Sequence, residues 1–96
     1  MPVSATVLAG PDRLQVTFDQ PLQAGPVDAG NWSATHGGFI WQGTGTGIAG
    51  GPLVTVPITA AFPSVGEFCG YDPPPFDVLG LAGGLPAADF AAYPLT

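Results

Sequence analysis

Lysine is absent from the chain, and its one cation, Arg13, stands against seven acidic residues, Asp12, Asp19, Asp28, Glu67, Asp72, Asp77 and Asp89, for a net charge of −6. Binding to nucleic acid needs cationic side chains that displace counterions from phosphates, and this chain repels phosphate instead. DNA, RNA and anionic membrane surfaces are therefore excluded as partners. Cysteine is nearly missing too: Cys69 alone permits neither an internal disulfide nor a cysteine zinc cluster. It reads as a small, reduced, buried apolar side chain. No apolar run approaches the ~20 residues of a membrane-spanning helix. Met1-Pro2 opens the sequence without a basic segment or an apolar stretch of signal-peptide length. The expectation is a protein made and used in the cytoplasm, or released by lysis or by another route that needs no signal peptide.

Charge is also scarce. Only 8% of residues are charged, against ~25% in ordinary globular domains, so Ser, Thr, Gln and Gly must keep the surface in water. Ninety-six residues suffice for one core and one domain, 1–96. Glycine (15) and proline (12) are abundant. With Val, Ile, Thr, Phe, Trp and Tyr also plentiful, they mark turns between strands and not disorder.

Helical periodicity is lacking as well: no window keeps apolar residues at i, i+3, i+4, i+7 for the ten or more residues an amphipathic helix needs. Strand periodicity is present. Leu14, Val16 and Phe18 alternate with Gln15 and Thr17, and Val54, Val56 and Ile58 alternate with Thr55 and Pro57, the pattern of half-buried antiparallel strands. Weaker strands fall at 4–8, 32–35, 39–43, 66–71 and 89–93, separated by Gly- and Pro-rich turns. About seven short strands with turns at this spacing predict a two-sheet sandwich. Pro57 lacks an amide donor, which predicts an edge position or a bulge. The run Gly43-Thr44-Gly45-Thr46-Gly47 has no lysine and no helix to follow it, so it is no phosphate cradle. A flexible hairpin tip or a glycine-rich edge strand is expected there. The expected core is Val7, Leu14, Val16, Phe18, Trp32, Val54, Val56, Ile58, Tyr71 and Phe90.

The order of landmarks carries a resemblance. Leu14 to Leu22 with its Phe18-Asp19-Gln20-Pro21-Leu22 corner, Asn31-Trp32-Ser33-Ala34, Val54-Thr55-Val56-Pro57-Ile58, Gly66, Tyr71-Asp72-Pro73 and the stretch from Gly80 to Phe90 together resemble bacterial and phage immunoglobulin-like repeats of the SwmB type. The likeness spans about residues 4–95. It implies an all-β, immunoglobulin-like antiparallel sandwich of about seven strands, with Trp32 as a core aromatic. Two segments depart from the pattern, Phe39-Ile40-Trp41 and Phe68-Cys69-Gly70. The family implies no catalytic residues; its members serve as spacer and adhesion modules of surface proteins and as appendages of phage proteins.

Catalytic chemistry finds little support. His36 is the one histidine and lies in the turn Thr35-His36-Gly37-Gly38, away from the rigid support a base needs beside Ser33, Ser64 or Cys69. Nothing sets a catalytic separation between Glu67 and Asp72, and Asp72 before Pro73 suits a turn. Calcium is the most defensible ion for such a fold, yet the carboxylates are scattered singly and form no Asp-rich loop. No enzyme, no metal and no cofactor is expected. Phe39 and Trp41 are the candidate partner contacts, because Phe39, Ile40 and Trp41 in succession make both faces of one strand apolar. The expected function is that of a structural accessory protein of a virion, a phage capsid decoration or head-fibre protein that binds a capsid or other virion protein in many copies. The expected location is the virion, with assembly in the host cytoplasm. The alternative is an immunoglobulin-like adhesion module at a bacterial cell surface.

Overall fold

The computed structural model describes residues 2–8, 13–36, 38–58, 68–73, 79–84, 87 and 90–95. Among these residues nine strands follow one another: β1 (Pro2–Leu8), β2 (Arg13–Phe18), β3 (Gly25–Asp28), β4 (Trp32–His36), β5 (Phe39–Gln42), β6 (Thr46–Gly50), β7 (Leu53–Pro57), β8 (Phe68–Tyr71) and β9 (Phe90–Pro94). A single 3-10 turn, Ala29–Asn31, is the helical element among the described residues. The strands form two antiparallel sheets, one of five strands in the order β1-β2-β7-β6-β3 and one of four in the order β5-β4-β8-β9.

This is an immunoglobulin-like sandwich. In the lettering of such domains, β1, β2, β7 and β6 take the places A, B, E and D, while β9, β8, β4 and β5 take G, F, C and C′. Strand β3 is added beside D. The alternation visible in the sequence sets the register: Leu14, Val16 and Phe18 of β2 turn inward opposite Val56 and Val54 of β7, and the partners pair as Leu14 with Val56 and Val16 with Val54. Eight of the ten expected core residues are buried, from Leu14 to Tyr71, and Val7 and Phe90 are half-buried against them. Each large apolar side chain fully removed from water contributes ~1.5–3 kcal/mol before entropy is counted.

At the centre stands Trp32. Tyr71 stacks on it with ring centroids 4.4 Å apart, while Phe18 and Phe90 meet it edge-on at 6.3 and 6.1 Å. These offset and edge-to-face arrangements are the favoured ones for aromatic quadrupoles. The Tyr71 hydroxyl, taken out of water with its ring, accepts a hydrogen bond of 2.6 Å from the Leu79 amide. The Phe-Asp-x-Pro-Leu corner ends with buried Leu22 in a bridge to Leu81, and the Gln23 amide donates to the Gly80 carbonyl. Those contacts close one end of the sandwich.

The seven expected strands are all present, with the ends of two of them, 66–67 and residue 89, outside the described residues. Two strands were not expected. Strand β3 runs through Gly25-Pro26-Val27-Asp28, and its place at the sheet margin tolerates a proline that an inner strand would not. Strand β6 begins within the glycine run and is an inner strand between β7 and β3, neither a hairpin tip nor an edge. Glycine at position 47 is a packing requirement: a Cβ there would lie 2.4 Å from Val56 Cγ1 and 2.7 Å from the Thr55 carbonyl oxygen. The expectation for Pro57 is also corrected. Strand β7 is interior, and Pro57 is its last residue, past the point where the β6 ladder ends at Ile48 and Thr55.

Candidate partner-binding edge

Strands β4 and β5 form a hairpin closed by the pair His36 and Phe39, with Gly38 at φ 82 in the left-handed region that a side chain would disfavour. The pairs Thr35 with Ile40, Ala34 with Trp41 and Ser33 with Gln42 carry the register without interruption. Beyond β5 the Gly43 amide donates to the Trp32 carbonyl, Gly43 bridges to Ile58, and the Thr44 amide donates to the Pro57 carbonyl. A Cβ on Gly43 would strike the Ala29 carbonyl oxygen. The chain thus crosses between the sheets at a point of close backbone approach, which anchors one end of β5. Strand β5 is the outermost strand of its sheet among the described residues.

Phe39 and Trp41 lie on the inward face of β5 and Ile40 on the other, as the alternation predicts. Their surroundings differ sharply. Trp41 is half-buried against the core, whereas Phe39 is 72% exposed and touches the edge of the Trp41 ring at 6.4 Å. Ile40 is 66% exposed on the outer face. There the pairings Ile40 with Thr35, Thr35 with Phe68 and Phe68 with Pro94 align one transverse row across all four strands. Phe68 is exposed as well. The hairpin end of the four-stranded sheet therefore offers apolar groups on both faces, and sequence reasoning had named Phe39 and Trp41 without Phe68. Pairing Phe68 with Ile40 required the β4–β8 register, which no local pattern supplies.

The segment Phe68-Cys69-Gly70 interrupts its ladder: the β8–β9 register shifts between Cys69 and Tyr71. Cys69 itself is buried and free. Loss of water around the sulfur pushes its pKa up to about 12, so it is a neutral thiol at neutral pH. His36 is partly buried at the end of β4, its Nδ1 enclosed without a hydrogen-bond partner. Ser33 points to the opposite face of the same strand, and Ser64 and Glu67 lie outside the described residues. Asp72 is exposed, and its amide donates to the Asn31 carbonyl. Among the described residues no three His, Cys, Asp or Glu side chains gather where they could hold a metal ion. No helix among them is long and apolar enough to cross a membrane.

Fold and edge define an immunoglobulin-like domain with an exposed aromatic margin. Comparison with family models, curated proteins and solved structures finds no match to this chain.

Proposed function

We propose that this protein is a structural accessory of a virion, a phage capsid decoration or head-fibre protein held in many copies on a capsid protein through the β5 margin. The observation that carries the reading is the exposure of Phe39 and Ile40 on an outermost strand. A chain with one cation and 8% charged residues has little scope for attachment by salt bridges or long-range steering. Apolar burial is the remaining source of affinity. Aromatic anchors seated in a partner pocket are the usual centres of such contacts.

The test is co-sedimentation with particles of the source virus in high salt. Attachment through apolar contacts survives the salt, and Phe39→Ser together with Ile40→Ser releases the protein while leaving its circular dichroism unchanged. Release by salt alone, or absence from purified particles, would favour an adhesion module at a bacterial surface.

A further inference from the structure

A second surface lies on the outer face of the five-stranded sheet, remote in the topology from β5. Ile48 of β6 points to solvent and is 64% exposed. It is flanked by Pro26 of β3 on one side and Thr55 of β7 on the other, each its direct cross-strand partner. Two residues along β7 on the same face comes Pro57, whose partner is Arg13 of β2. Arg13, Pro26, Thr46, Ile48, Thr55 and Pro57 line one shallow groove.

The groove has an electrostatic direction. Arg13, the only lysine or arginine of the chain, stands exposed at its β2 end. Asp28 stands exposed on β3 at the opposite margin, paired with Thr46, its Oδ1 accepting from the Gly30 amide. Strands are spaced ~4.8 Å apart, so the three spacings from β2 to β3 separate the backbones that carry the two charges by about 14 Å. With six more acidic than basic residues overall, the Arg13 end is the one place on the described surface where a partner's carboxylate meets a cation. The apolar centre between them is carried by Ile48, with Pro26 directly opposite it on β3 and Pro57 diagonal to it on β7.

From this arrangement we infer that the groove is a docking site for a protein segment that carries a branched apolar side chain beside a carboxylate. The segment lies across β6, its apolar group on Ile48 and Pro26 and its carboxylate against the Arg13 guanidinium. Asp28 repels the reversed orientation, so the groove selects both composition and polarity. A guanidinium offers two parallel donors to a carboxylate, which fixes the geometry of that end. The inference stands independently of the virion reading, because it concerns a different sheet.

The probes are two capped hexapeptides, one containing leucine, valine and aspartate, the other identical but with asparagine in place of aspartate, titrated into the isotopically labelled protein and followed by NMR. The aspartate peptide is expected to move the amide signals of Arg13, Thr46, Ile48 and Thr55, and to bind about two- to fivefold more tightly than its asparagine counterpart, the range of an exposed ion pair. Arg13→Gln is expected to erase the difference between the peptides, and Ile48→Ser to weaken both, with the signal dispersion of the fold retained in each variant. Phe39→Ser is expected to leave peptide binding unchanged, so failure here is distinct from failure at the β5 margin. Equal binding of the two peptides, a preference that survives Arg13→Gln, shifts centred elsewhere, or no binding at millimolar peptide would each overturn the inference.

Discussion

Trp32 and Phe39 belong to one hairpin and lie on the same face of the same sheet, yet Trp32 is 1% exposed and Phe39 is 72% exposed. Residue type does not separate them, since both are large aromatics in strands. Position relative to the opposing sheet does. Trp32 sits beneath Phe18 of the five-stranded sheet and against Tyr71 and Phe90 of its own, whereas Phe39 starts β5 at the turn, with Trp41 as its aromatic neighbour. An apolar face is core only where a second layer covers it, and what extends past that cover becomes surface available to a partner.

The contrast can be broken most directly at its buried end. Trp32→Ala removes the centre of the aromatic cluster and should cost ~3–5 kcal/mol of stability, a large share of the ~5–15 kcal/mol of an ordinary domain. Denaturant unfolding measures it, and a loss below about 1 kcal/mol would mean that the cluster is not the centre of the core. Next comes Gly47→Ala, which forces a Cβ against Val56 and the Thr55 carbonyl. Overpacking of this kind costs ~1–3 kcal/mol, read as a lowered midpoint, and an unchanged midpoint would contradict the inner placement of β6.

Cys69 gives a smaller effect that depends on pH. Its folded pKa is raised from 9.0 to about 12, so the unfolded chain gives up the thiol proton first. The stability this group contributes is complete below about pH 9 and is lost as pH rises toward about 12. Replacing it by alanine should flatten that alkaline decline, and under native conditions at neutral pH a thiol reagent should label Cys69 slowly. Rapid labelling would place the sulfur at the surface. The smallest effect belongs to the exposed end of the comparison: Phe39→Ser should change stability by no more than about 0.5 kcal/mol. A loss comparable to that of Trp32→Ala would show that Phe39 is part of the fold and is not held in reserve for a partner.

Much of the sandwich was legible from alternation alone, because a two-residue period places every second side chain inward whatever the neighbours are. Leu14, Val16, Phe18, Val54, Val56 and Ile58 were placed inside on that ground, and all are buried. The candidate site was legible in part. Phe39, Ile40 and Trp41 in succession announced a strand with two apolar faces, but not which of the three would be covered, and Phe68 was not linked to them. Strands β3 and β6 escaped because glycine, proline and threonine read as turn residues wherever their neighbours are unknown.

Composition and local pattern by themselves determined an acidic chain built from β-strands, with a single thiol and one arginine as its only lysine or arginine. These properties follow from side-chain charge and from the geometry of one strand at a time. Tertiary structure alone decided that Gly47 lies against Val56, that Pro57 ends an inner strand, that Phe68 aligns with Ile40, and that Arg13 stands at the end of a groove over Ile48. Each of those facts joins residues distant in sequence. Their proximity is set by strand order and register across two sheets, and a backbone that folds back on itself has no local signal for which strand it will meet.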